Sequence, residues 1–160
     1  MKALVLRAHQ LEMAVLDRLK SPVLLAIRLV WGTQFFLTGL GKLKNLDNVA
    51  QFFASLSIPL PKLNATMAGT TEMVGGLCLL LGLGGRVVTI PLCFTMLVAF
   101  ATAHRDVFGK MFADKDLDPL ISAAPTSFLL ASVVILIFGS GAFSADHLLW
   151  KKMQEEAPKK

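Results

Sequence analysis

Residues 70–85 read TTEMVGGLCLLLGLGG, and one of them sets the problem. Glu72 lies in a run of small and apolar side chains with no other charge between Lys62 and Arg86. The whole chain shares this character: of 160 residues 54% are hydrophobic and 17% charged, with a mean hydropathy of +0.63. That length suits one domain. A soluble domain of this size has too much surface for its volume to hide so much apolar area. A bilayer removes the difficulty and makes the carboxylate the anomaly.

Four blocks are apolar enough to cross a membrane, which takes about 20 residues, or as few as about 17. The first is PVLLAIRLVWGTQFFLTGLG, residues 22–41, with Arg28 inside it. The second, residues 64–83, contains Glu72. The third runs from Val87 to His104, where Pro91 should kink the helix without breaking it. The fourth covers residues 123–142, with Pro125 tolerable in its first turn. In NLDNVAQFFASLSIPLP, residues 45–61, Val49, Phe52, Phe53 and Leu56 recur at i, i+3, i+4 and i+7. That spacing predicts an interfacial helix, capped by Asn45 or Asp47 and ended by Pro59.

The expected fold is therefore all-α, a four-transmembrane-helix bundle over residues 22–146. An amphipathic surface segment at 1–21 precedes it, a short interfacial helix joins spans one and two, and a basic tail at 147–160 follows. Within that tail only the final APKK reads as disordered. Glu12 and Asp17 interrupt any signal-peptide core.

Lys and Arg counts set the orientation. Lys2, Arg7, Arg18, Lys20, Arg86, Lys151, Lys152, Lys159 and Lys160 fall on the side of the termini. Lys42, Lys44, Lys62, Arg105, Lys110 and Lys115 fall on the other. Nine against six predicts both termini in the cytoplasm and a multi-pass protein of the inner membrane. The net charge of +5 follows these flanks rather than forming a stripe, so nucleic acid is not an expected partner; the lipid bilayer is. Cys78 and Cys93 lie inside apolar blocks without a CxxC spacing, and the three histidines, at 9, 104 and 147, are scattered, so no metal site is expected. Nucleotide loops and GxSxG elbows are also missing from the sequence.

A charge at mid-bilayer costs roughly 2.5–3.5 kcal/mol, so such residues face the bundle interior and have partners. Depth estimates place Arg28 within reach of Glu72. Either the two form a structural pair, or Glu72 is a protonatable group lining a pocket for a polar head group. Lys42 and His104 close the first and third spans on one membrane face, where snorkelling and interfacial capping compete with ligand binding and catalysis. Arg86 and Asp146 are expected to close the opposite end as an ion pair. The glycines at 75, 76, 82, 84 and 85 read as close helix packing and a tight turn.

Taken together, RLVWGTQFFLTGLGKL, the E-x-x-G-G of residues 72–76, LLLGLGGR, the AxAH of residues 101–104 and the G-S-G-x-x-S-x-D of residues 139–146 resemble the DoxX family of small four-helix membrane proteins. The resemblance implies an association with quinone-linked oxidoreductases, in sulfur or oxidative-stress metabolism, or with membrane assembly. It singles out Arg28, Lys42, Glu72, Arg86, His104 and Asp146. On the first reading the chain is the membrane subunit of a quinone-linked oxidoreductase without a redox metal of its own. A membrane quinone would then be its cofactor and a soluble oxidoreductase subunit its partner, with Arg28 and Lys42 binding the quinone and Glu72 and His104 catalytic. On the second it is a non-enzymatic assembly or small-molecule-binding protein whose buried charges are structural.

Overall fold

The computed structural model describes the helical course of residues 2–156 and the side-chain surroundings of residues 16–156, Asp114 excepted. Over those residues the chain is all-helical, without a strand. Glycines decide how its first hairpin forms. Helix α1 spans Lys2–Lys44, and α3, Pro61–Leu81, returns beside it after the short α2, Leu46–Ser55. Gly32 and Gly39 on α1, and Gly69 and Gly76 on α3, each repeat after two turns and leave a flat strip on either helix. A Cβ on Gly39 would lie 2.6 Å from the Gly69 carbonyl oxygen, and one on Gly76 would lie 2.6 Å from that of Gly32. The two backbones therefore touch, in an antiparallel register that sets Gly32 by Leu80, Phe36 by Gly76, Gly39 by Met73 and Leu43 by Gly69.

Helices α4, Gly85–Thr102, and α7, Ala124–Phe138, complete a closed ring: α3 packs on α4, α4 on α7, and α7 on α1. Phe35, Leu79, Leu92 and Ile135 are wholly buried at its centre, with Met96 against them. Phe128 of α7 meets α1 edge-on, 5.2 Å from Trp31 and 4.6 Å from Phe35 between ring centroids. A smaller cluster of Phe100, Val107 and Ala123 lies by α5, Arg105–Asp114, and α6, Asp118–Ser122. The last helix, α8, spans Ala145–Glu156.

The ring buries two charges beside its apolar core and is apolar outside as well. Arg28 and Glu72 are 1% and 2% exposed. Leu63, Met67, Val74, Leu77 and Leu81 of α3, and Val87, Ile90, Phe94 and Leu97 of α4, face outward. Water does not favour such a distribution; hydrocarbon does.

Several boundaries differ from those the sequence predicts. Pro22 does not separate a surface helix from the first span: α1 runs through it, forgoing one backbone hydrogen bond in a stretch that is helical on both sides. The faces of that segment before Leu16 lie outside the described residues. Pro91 stays within α4 without ending it, as predicted. By length and composition, Leu16–Lys44 and Gly85–Thr102 are the helices among the described residues that could cross a membrane. α3 has the length, but Asn64, Glu72 and its threonines and glycines dilute its apolar content. α7 is apolar but stops at 15 residues, because Gly139 and Gly141 turn the chain at φ 78° and 77° where an unbroken span to residue 142 was expected. The expected tail continues as helix to Glu156, and its APKK ending lies outside the described residues. The interfacial helix forms as α2, with Val49, Phe53 and Leu56 half-buried and the helix resting on α3. Asn45 occupies its N-cap position without capping it, donating instead to the Gly41 carbonyl at 3.1 Å; Asp47 pairs with Lys62 at 2.9 Å.

Candidate functional site

The register of α1 on α3 distributes the buried charges. Continued from Gly32–Leu80, it brings Arg28 level with Gly84, about 12 residues or about 18 Å along α3 from Glu72. The Arg28–Glu72 pair foreseen from the sequence is therefore not formed. Depth measured from the ends of assumed spans made the two look close, and only the glycine contacts reveal the true register.

Arg28 instead gathers the loose end of the ring. Its Nε donates at 2.9 Å to the Leu79 carbonyl, which also takes the Gly82 N–H at 3.1 Å, and Nη2 donates to Leu80 at 3.2 Å, both in the last turn of α3, where carbonyls have no further helical partners. Nη1 donates to Ser140 at 2.5 Å and Phe143 at 2.9 Å in the turn after α7. Gly82 leaves room for this guanidinium: at φ 67° it ends α3, and a Cβ there would lie 2.6 Å from Nη2. Four of the five Arg28 N–H donors are thus taken by backbone carbonyls, which leaves one Nη2 hydrogen for the part in cofactor binding expected from the sequence.

The Arg86–Asp146 ion pair is likewise absent. Asp146 accepts from the Gly84 N–H at 2.7 Å, the Gly85 N–H at 3.1 Å and the Ser140 hydroxyl at 3.0 Å, while its own N–H donates to Gly82 at 3.0 Å. Two free amides at the start of α4 are fixed donors carrying the positive end of the helix dipole. They satisfy the carboxylate without ordering a long side chain. Arg86 points outward and donates to the Ile137 carbonyl at 3.3 Å, near the end of α7. Both residues do close this end of the bundle, each on backbone rather than on the other. Ser140 and the amides of Gly84 and Gly85 are the members that sequence reasoning missed. The GLGG and GSG runs carried the signal, since such glycines expose amides as well as bending the chain.

At the opposite end α1 and α3 hold a different arrangement. Lys42 Nζ pairs directly with Glu72 Oε2. Glu72 is 2% exposed, whereas the Lys42 side chain keeps 29% of its surface and so opens the pair toward the outside. A carboxylate accepts about four hydrogen bonds and an ammonium donates three. Among the described residues Lys42 is the only donor to Glu72, so acceptor and donor capacity both remain. His104 sits half-buried at the N-cap position of α5 with its ring edge-on to Phe100 at 6.4 Å. No hydrogen bond links it to Lys42, Glu72 or Arg28. The structure thus brings together two of the predicted site residues, Lys42 and Glu72, and leaves His104 apart from them.

This pairing has a thermodynamic signature. Lys42→Met and Glu72→Gln are expected to be coupled by about 1–3 kcal/mol in a double-mutant cycle of unfolding in detergent, as for residues in contact. Arg28→Gln combined with Glu72→Gln should add without coupling. The reverse pattern would mean that the register described here is wrong.

Sequence comparison can now be set on this geometry. A family-wide model described as DoxX matches residues 23–105, more than half of the chain. The chain belongs to the DoxX family. The DoxX match runs through α1, α3 and α4 and so contains Arg28, Lys42, Glu72, Arg86 and His104; Asp146 lies beyond it. A Bacillus subtilis protein named "Putative oxidoreductase CatD" is 27% identical over 127 residues, covering 79% of this chain and 87% of that protein. A Mycobacterium tuberculosis protein named "Uncharacterized membrane protein Rv3486" is 30% identical over 136 residues, covering 82% of this chain and 83% of that one. No solved structure matches. Membership of DoxX accounts for the apolar outer face of the ring: this is a membrane protein with apolar helices.

Proposed function

We propose that this DoxX protein is the membrane subunit of a quinone-linked oxidoreductase, and that Lys42 and Glu72 receive the quinone head group. In this reading all four helices of the ring cross the inner membrane, with both termini in the cytoplasm. The outward stripe of Leu63, Met67, Val74, Leu77 and Leu81 supports a lipid-facing α3 despite its buried Glu72. α7, about 22 Å long, spans by local thinning of the bilayer.

The observation that carries the reading is a buried carboxylate whose one described partner is a lysine open to the outside. Lys42 would donate a hydrogen bond to one quinone carbonyl, and Glu72 would relay to that same oxygen a proton taken up from the exposed side of the pair. A bound quinone would supply the two-electron chemistry, taking both electrons from the soluble partner subunit, with the second proton coming from water. The name of the Bacillus relative is in keeping with an oxidoreductase role.

Glu72→Gln keeps the shape of the side chain but cannot carry a proton. It is expected to reduce quinone-dependent turnover of the assembled complex by at least about 100-fold, the usual scale of a lost general acid, with the protein still inserted and folded. Mass spectrometry of extracts from nanodisc-embedded protein should find a stoichiometric quinone that Lys42→Met loses. Normal turnover in Glu72→Gln rules the proton role out. The second reading, a non-enzymatic assembly protein, is favoured by Arg28 and Asp146, whose bonds all go to the fold itself. Ordinary lipid alone in those extracts would select it.

A further inference from the structure

Helix α8 buries none of its residues, yet Leu149, Trp150 and Met153 are large apolar side chains, 51%, 60% and 57% exposed. With Asp146 they fall at i, i+3, i+4 and i+7, so all four share one helical face. Asp146 fixes where that face points. Its carboxylate is held by the Gly84 and Gly85 amides at the start of α4, so the stripe lies on the side of α8 that faces the end of the bundle. Lys151, Lys152 and Glu155 fall on the opposite face, together with Leu148, which is 68% exposed.

We propose that α8 lies along the membrane surface, with Leu149, Trp150 and Met153 seated at the boundary of head groups and acyl chains of an anionic leaflet. Two further features favour lipid over a protein partner. The charge at this end is complementary to phosphates: Arg18, Lys20, Arg86, Lys151 and Lys152 outnumber Asp17, Glu155 and Glu156, while Asp146 is committed to α4. Tryptophan with flanking lysines on an amphipathic helix suits that interface. The inference is independent of any role for Lys42 and Glu72.

Tryptophan fluorescence tests it on the full-length protein, which has two tryptophans and no tyrosine. Nanodiscs of equal phosphatidylcholine and phosphatidylglycerol would carry the wild type and Trp150→Phe; their difference spectrum isolates Trp150 without touching Trp31. The expected result is a blue-shifted Trp150 emission, quenched several-fold more by phosphatidylcholine brominated near the head group than by acrylamide in the buffer. Lys151→Gln with Lys152→Gln should weaken that quenching. A red-shifted emission quenched by acrylamide would overturn the proposal, because the helix would then stand in water. A blue-shifted emission that neither quencher reaches would overturn it too, because a protein surface would then cover the stripe.

Discussion

Arg28→Gln is expected to lower the free energy of unfolding in detergent by about 3–5 kcal/mol, which makes Arg28 the most sensitive charged position in the protein. The guanidinium satisfies four buried or half-buried carbonyls, on Leu79, Leu80, Ser140 and Phe143. A buried acceptor left without a donor costs about 1–3 kcal/mol. Leu79 keeps its bond from the Gly82 N–H, and the other losses do not add in full, since the end of α3 relaxes once released, so the total falls below their sum. Glutamine reaches at most two of the acceptors. Arg28→Lys is the informative control. An ammonium donates from a single point and cannot span from the last turn of α3 to the turn after α7, so lysine should recover less than half of the loss. If Arg28→Lys unfolds like the wild type, charge alone is what matters at this site and the fork geometry is incidental.

Gly76→Leu is expected to separate α1 from α3 and destabilise the protein by about 3 kcal/mol or more, beyond the usual range for overpacking because backbone, not a movable side chain, stands in the way. The obstacles are the Gly32 carbonyl oxygen and the backbone of Phe35 and Phe36. Even alanine at residue 76 should be costly. Gly41→Ala supplies the contrast: a Cβ there meets nothing within 4 Å, so the exchange should be neutral or stabilising by about 0.5–1 kcal/mol through the better helix propensity of alanine. Thermal unfolding in the same detergent reads both. Equal losses at the two glycines would show that the backbone contact at Gly76 does not set its cost.

How much of this was legible in the sequence depends on the range of the signal. Hydropathy and periodicity are local, and they placed α1, α3, α4 and the start of α7 near their observed positions. They also found α2 from Val49, Phe52, Phe53 and Leu56. The close packing and tight turns assigned to the glycines are present at Gly76, Gly82 and Gly84. What failed was long-range. Which charge meets which depends on helix register, and Gly32, Gly39, Gly69 and Gly76 set it through contacts that no single segment reveals. From the sequence Lys42 can snorkel or bind a quinone and Arg28 can pair with Glu72, whereas the structure pairs Lys42 with Glu72 and turns Arg28 to carbonyls. The same holds for Asp146, where attraction to Arg86 was weighed and the amides of Gly84 and Gly85 were not. Whether the Lys42–Glu72 pair handles protons lies beyond either kind of signal and belongs to the turnover experiment.

The polar fastenings are unevenly placed along the ring. At the Arg28 end, one guanidinium ties α1 and α3 to the turn after α7, Asp146 ties α8 to α4, and Ser21 of α1 accepts from the Ala142 N–H at 3.2 Å. At the Lys42 end, the ion pairs Lys42–Glu72 and Lys62–Asp47 stay within α1, α2 and α3 and never reach α4 or α7. The molecule is built like a clothes-peg. Its spring is at Arg28, one jaw is the glycine-welded pair α1–α3, and the other is α4–α7. Away from that end, Trp31 and Phe35 meet Phe128 across α1 and α7, and Gly75 meets Leu92 across α3 and α4, so among the described residues the two jaws are joined by polar bonds at one end and by packing alone at the other.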